Sequence, residues 1–213
     1  AAELHELCAL GETVLHADPE TDAGAEAVRE AVFALLIAFP RYRTYFRPGR
    51  SGRAEDLRLL DEVVDAAAET VRSDRVVRAL KDALLRAETP EEAALLIRFQ
   101  QVTGALMAKS QEDTAGFRWV PYLAANEVGA EPDDACWTQE RFRDWAAKRG
   151  PHGLTLTSSH DTKRAEDARM RLVALSHHPD AFAALWRRAW VLPEAAGPDP
   201  NHCWYILQSL IAI

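Results

Sequence analysis

Two clusters in the chain carry side chains able to do chemistry. The first is Ser158-Ser159-His160-Asp161-Thr162-Lys163-Arg164, directly after the alternating stretch Leu154-Thr155-Leu156-Thr157. The second is Lys109-Ser110-Gln111-Glu112-Asp113, at the exit of the apolar run from Val102 to Ala108. Strict alternation over a few residues predicts a short strand, and the charged residues after Asp161 predict a helix. A strand that stops at a His-Asp pair and turns into a helix sets both side chains at its carboxyl end. In barrel and open-sheet enzymes that end faces the substrate. On residue types alone, Asp161 equally fits a helix N-terminal acid stabilised by orphan backbone amides, and His160 a structural histidine. Lys109 and Glu112 are candidate substrate-binding groups, the alternative being a structural ion pair. Spacing does not separate the 102–108 run, read as a strand, from the end of a buried helix.

The elements that must position these clusters are mostly helical. Ala27, Val28, Ala31, Val32, Leu35, Leu36 and Phe39 recur at helical spacing up to Pro40, with Asp22 as the candidate cap. Leu57, Leu60, Val64, Ala67, Ala68 and Val71 form a second stripe, and Val76, Val77, Leu80 and Leu84 a third. Thr89-Pro90-Glu91-Glu92 then supplies a cap, a first-turn proline and a capping glutamate three residues on. Thr138 and Asp180 are candidate caps for two later helices, and Lys163, Asp167 and Arg171 stand one turn apart with alternating sign. The arginine-rich segment Arg41-Tyr42-Arg43-Thr44-Tyr45-Phe46-Arg47 contains β-formers and closes at Pro48-Gly49 as a turn. Residues 1–98 therefore read as a helical bundle, and residues 99–213 as a second segment of different composition.

Composition narrows the function classes. The formal net charge of -8 argues against a nucleic-acid or anionic-membrane partner, which needs clustered Lys and Arg. Cys8, Cys136 and Cys203 are odd in number and far apart, which fits a reducing compartment without a disulfide framework. No apolar run approaches the ~20 residues of a membrane span, and the expectation is a cytoplasmic chain. His177-His178 and His202 beside Cys203 are too sparse for a metal site.

The run Ser159 to Asp167, the stretch Phe99 to Ala115, and Trp119, Tyr122, Asn126-Glu127-Val128-Gly129 and Pro132-Asp133 resemble, in order, blocks of the maltooligosyl trehalose synthase family. That family belongs to the alpha-amylase superfamily. Phe39-Pro40-Arg41-Tyr42-Arg43-Thr44-Tyr45 looks like the family's phrase joining its helical subdomain to its barrel. Gly116 and Trp119 depart from the family pattern, as does Ser158-Ser159 where a serine-threonine is usual.

The resemblance implies a mainly α chain, a helical bundle followed by a partial (β/α)8 barrel segment, cut from the interior of a long polypeptide. It implies conversion of the reducing end of a maltooligosaccharide from an α-1,4 to an α,α-1,1 linkage by intramolecular transglycosylation, with no cofactor. Asp161 would be the third family carboxylate, which stabilises the distorted transition state, and His160 would donate to a hydroxyl of the same ring. The nucleophilic Asp and acid Glu would lie on earlier strands, so the chain alone is expected to be inactive. Its partners would be the α-glucan and the remainder of the parental barrel, and exposed strand edges could pair two copies as a homo-oligomer. An α-glucan hydrolase or transferase of the same superfamily, and a helical interaction module without chemistry, stand as alternatives.

Overall fold

The computed structural model describes residues 2–18, 21, 23–190, 197 and 199–213, and they divide into two compact units, Ala1–Ser110 and Gln111–Ile213. The first unit is built from α1 (Ala2–His16), α2 (Ala25–Ala38), α3 (Ala54–Ala68), α4 (Asp74–Arg86) and α5 (Pro90–Met107). The apolar stripes do what their spacing predicts. Val28, Ala31, Val32, Leu35 and Leu36 of α2 are buried against Leu59, Leu60, Val63 and Val64 of α3 and Val76, Val77, Leu80 and Leu84 of α4 in one hydrophobic core. Each such valine or leucine side chain withdrawn from water contributes about 1.5–3 kcal/mol before chain entropy is counted. Helix α1 reaches this core at Gly11, where an added Cβ would lie 3.1 Å from Val28 Cγ1.

Helix α5 begins as its sequence requires. Thr89 accepts from the Glu92 N–H at 3.1 Å while Glu92 Oε2 accepts from the Thr89 N–H at 3.3 Å, a complete capping box with Pro90 in the first turn. The Glu92 carboxylate is buried and also takes both Arg86 donors, at 2.9 and 2.7 Å. Burial pushes the Glu92 carboxyl up, but the Arg86 guanidinium and the Glu88 and Thr89 amides together hold it below the usual range. Asp22, the expected cap of α2, lies outside the described residues; α2 starts after Gly24 without a side-chain cap.

The second unit holds the one-turn α6 (Gly116–Arg118), α7 (Gln139–Ala147), α8 (Glu166–Leu175), α9 (Pro179–Trp190) and α10 (Pro200–Ala212), with 3-10 turns at Leu123–Ala125 and Pro132–Asp134. Its core is small: Val120, Leu123, Leu172 and Ala212, flanked by Trp204, Tyr205, Ala168, Leu175 and Ala124. Thr138 caps α7 as expected, accepting from the Arg141 N–H at 3.2 Å. Asp180 sits inside the first turn of α9 rather than at its cap.

No described residue is in a β-strand. The run from Val102, expected as a barrel strand, is instead the last part of α5, which passes into a π-helical stretch at Ala108–Ala115. Leu154-Thr155-Leu156-Thr157, the other expected strand, has no strand partner, and Leu154 and Leu156 are 90% and 72% exposed. A helix satisfies its own backbone hydrogen bonds, whereas a strand depends on a neighbour for them. Likewise, Phe39–Tyr45 connects α2 to α3 inside the bundle rather than leading out of it.

Candidate functional site

His160 and Asp161 lie side by side on a tight turn of the second unit, His160 Nε2 3.4 Å from Asp161 Oδ2, with side chains 92% and 68% exposed. Serine and threonine residues build the turn. The Thr162 N–H and Oγ1 both donate to the Ser159 carbonyl, at 3.3 and 2.8 Å. The Asp161 N–H donates to Ser159 Oγ at 3.2 Å, and the Ser159 N–H to Thr162 Oγ1 at 3.3 Å. Hydroxyl-to-backbone bonds of this kind favour turns over regular structure. Ser158 Oγ accepts from the Glu166 N–H at 2.8 Å and so satisfies an orphan amide at the start of α8, whose own N-cap residue, Ala165, cannot.

A carboxylate holds the far side of this turn. Glu127 Oε1 accepts from the Lys163 N–H at 2.6 Å, and Oε2 from the Arg164 N–H at 3.1 Å. These are charge-assisted bonds to two successive amides, which fix the chain immediately after the His-Asp pair. The Val128 N–H also donates to Oε1, at 2.9 Å. Arg164 answers from the other side, its Nη1 donating to the carbonyls of Asn126 at 3.1 Å and Leu123 at 3.4 Å. Buried Asn126 ties the same loop to the Gly116 and Trp119 carbonyls, the latter at 2.8 Å. Gly116 has a packing reason to be glycine, since an added Cβ would stand 3.1 Å from the Gln111 carbonyl oxygen and 3.5 Å from Asn126 Oδ1.

Below this loop, α10 supplies a side chain that acts as backbone. Gln208 is 2% exposed; its Oε1 accepts from the Leu123 N–H and its Nε2 donates to the Val120 carbonyl, both at 2.9 Å. Trp204 Nε1 donates to the Pro121 carbonyl at 3.0 Å, and its ring meets Phe182 and Trp186 of α9 edge-on at 5.0 Å each.

Glu112 joins the same unit. Its Oε1 accepts from the Gly129 N–H at 3.2 Å, so it reaches the loop that carries Glu127. Lys109 lies on the π-helical stretch within the first unit. Lys163 precedes α8, its ammonium 5.2 Å from the centroid of the Phe117 ring, while Arg171 donates to the Ala212 carbonyl at 3.0 Å. The expected ladder of Lys163, Asp167 and Arg171 on one helix is therefore not formed. Among the described residues no group of three or more His, Cys, Asp or Glu could hold a metal ion. No described helix is long and apolar enough to cross a membrane.

Reading the sequence missed the roles of Glu127, Arg164 and Gln208. A carboxylate inside the turn-rich stretch Asn126-Glu127-Val128-Gly129 was the available signal for the first. Gln208 sits in an apolar helical stripe, Tyr205 to Ile211, where a lone amide signals a buried hydrogen-bond partner.

No family model matches the chain. A Mycobacterium tuberculosis protein bearing the name maltooligosyl trehalose synthase is 32% identical over 174 residues, 80% of this chain and 21% of its own length. The solved maltooligosyltrehalose synthase of Arthrobacter ramosus superposes with a TM-score of 0.72 at 28% identity, covering 99% of this chain and 25% of that one. A Sulfolobus tokodaii structure titled as a hypothetical maltooligosyl trehalose synthase shares the fold at a TM-score of 0.64 and 23% identity, over 29% of its chain. Over most of its length the chain is thus similar to proteins named maltooligosyl trehalose synthase, and it spans between 21% and 29% of these relatives.

Proposed function

We propose that this chain is the part of a maltooligosyl trehalose synthase that brings the third carboxylate to the bond-cleaving subsite. In this reading the whole protein converts the terminal α-1,4 linkage of a maltooligosaccharide to an α,α-1,1 linkage by intramolecular transglycosylation. Residues 1–98 are its helical subdomain and residues 99–213 a segment of its barrel. The observation that carries the reading is the built turn: His160 and Asp161 are presented outward while Glu127 and Arg164 fix the backbone directly behind them.

Retaining chemistry at a glycosidic bond needs a nucleophilic carboxylate and a carboxylic acid about 5–5.5 Å apart, flanking an oxocarbenium-like transition state. Both belong to chain outside these residues. Asp161 accepts hydrogen bonds from sugar hydroxyls that strengthen as the ring distorts, and His160 donates to a hydroxyl of the same ring. Glu112 and Lys109 are substrate-binding groups in the same reading. No cofactor enters, because both half-reactions exchange one acetal carbon–oxygen bond for another. In water an exposed carboxylate gains little from a sugar hydroxyl, since the solvent competes for the same bond. Enclosed by the remainder of the barrel, the same group acts at much lower effective dielectric.

The test is Asp161→Asn in the full-length protein, which keeps shape and loses charge. Turnover on maltooligosaccharide is expected to fall at least a hundredfold with folding unchanged, in the range of losing one strong transition-state contact. Ordinary turnover would refute the assignment. The 213-residue chain alone is expected to produce no non-reducing ends from the same substrate.

A further inference from the structure

Between Arg41 and Arg53 the sequence places five arginines, Arg41, Arg43, Arg47, Arg50 and Arg53, and no carboxylate, in a chain whose net charge is -8. The fold gathers four of them. The segment between α2 and α3 alternates: Thr44 and Phe46 are buried, while Arg43, Tyr45 and Arg47 are exposed. It is held rigid from beneath, Thr44 Oγ1 donating to Gln100 Oε1 at 3.3 Å and Gln100 Nε2 to the Phe46 carbonyl at 3.2 Å. The Tyr45 N–H donates to buried Asp56 at 3.4 Å.

Arg47-Pro48-Gly49-Arg50 is a closed turn, the Arg50 N–H donating to the Arg47 carbonyl at 3.1 Å with Gly49 at φ 66°. Proline then glycine of positive φ is the type II pattern, and it brings the first and fourth residues together. Arg53 returns at the start of α3, and its guanidinium and that of Arg43 lie 5.6 and 4.8 Å from the Tyr45 ring centroid. Arg43, Tyr45, Arg47, Arg50, Ser51 and Arg53 line a depression of about 270 Å³. Arg53 is 3.6 Å from Glu55; Arg43, Arg47 and Arg50 make no ion pair among the described residues. A second depression of about 210 Å³ shares Arg47, Arg50 and Ser51 and is walled by Phe46, Leu57, Leu84 and Leu85.

We propose that this loop binds a small phosphate ester, its phosphate held by Arg47, Arg50 and Arg43 and its apolar or ring portion seated against Phe46, Leu57, Leu84 and Leu85. Guanidinium forks match phosphate oxygens in bidentate fashion, and a phosphate group carries about -1.5 to -2 charges at pH 7. Self-repulsion of guanidiniums on one short loop is relieved by such a dianion, and no described carboxylate pairs with Arg43, Arg47 or Arg50. A neutral glucan would not need them, so the site is separate from the sugar chemistry proposed above and stands or falls independently of it.

The experiment is a titration of the 15N-labelled chain, at fixed ionic strength, with inorganic phosphate and with phenyl phosphate, reading the arginine Nε–Hε signals. Saturable shifts of Arg47 and Arg50 are expected with both probes, phenyl phosphate binding several-fold more tightly. Arg47→Ala/Arg50→Ala, two exposed changes outside the core, should weaken both by about tenfold or more. Arg47→Lys/Arg50→Lys keeps the charge, loses the fork and should fall between. Linear, unsaturated shifts, or equal affinity in the alanine double variant, would overturn the site. Equal affinity for the two probes would overturn the role of the apolar depression. Absence of the same shifts in a longer polypeptide containing this chain would also overturn the proposal.

Discussion

Replacing Glu127 by alanine should loosen the His-Asp turn without melting the unit around it. Glu127 takes the Lys163 and Arg164 amides at 2.6 and 3.1 Å, and both acceptors vanish in the alanine variant. Hydrogen bonds to a charged acceptor contribute about 1.5–3 kcal/mol each, and the half-buried setting here favours the lower bound. Two such bonds give about 3 kcal/mol, or about a hundredfold faster opening at 25 °C. The assay is amide hydrogen exchange resolved by residue, comparing Lys163 and Arg164 with Leu172 in the buried core of α8. Glu127→Ala should accelerate the first two by about a hundredfold and leave Leu172 within a few-fold. Glu127→Gln retains one acceptor oxygen and should spare one of the two amides. Unchanged exchange at both would refute the staple. So would equal acceleration at Leu172, since Glu127 would then be supporting the whole unit and not the turn.

Two further outcomes follow from the cores. Glu92 has its folded carboxyl held below the usual range, so the unfolded chain binds the extra proton; stability of the first unit is full above the ordinary glutamate pKa and is lost as pH falls through the folded value. Urea unfolding between about pH 6 and pH 2.5 should show this acid slope, and Glu92→Gln should flatten it while costing stability at neutral pH. Gln208→Leu should leave the Leu123 N–H and Val120 carbonyl buried without a partner, at about 1–3 kcal/mol each. With so small a core the second unit should then lose its near-ultraviolet dichroism from Trp204, and a native-like spectrum would contradict the role given to Gln208.

How much could be read from the sequence divides along one physical line, whether a residue's partner is close in the chain. Helices α2 to α4 and the start of α5 were legible because their stripes and the Thr89–Glu92 box are patterns within a turn or two. The cap at Thr138 was legible for the same reason. Glu127 bonds amides 36 and 37 residues away and Gln208 reaches 85 and 88, distances at which no local pattern exists. The resemblance to a known family singled out His160 and Asp161, but not the residues that hold their turn. It also placed Phe39–Tyr45 at a boundary between subdomains, where the fold has a loop pinned inside the bundle by Gln100.

The two expected strands failed for a reason that bears on function. Alternation in Leu154-Thr155-Leu156-Thr157 describes a segment with one face to bury and backbone groups to pair, and neither need is met within this unit. The helices had no such dependence, because each closes its own hydrogen bonds and needs only one apolar stripe covered. Leu154, Leu156, Ile206 and Leu210 are left at 90%, 72%, 54% and 64% exposure. The chain spans only 21% of its Mycobacterium tuberculosis relative. In the proposed reading, pairing of Leu154-Thr155-Leu156-Thr157 with a neighbouring strand would change Asp161 from a solvated carboxylate to one at a strand end in a closed cleft. The proposed transition-state role needs that second environment, whereas the turn itself is built within this unit by Ser159, Thr162 and Glu127.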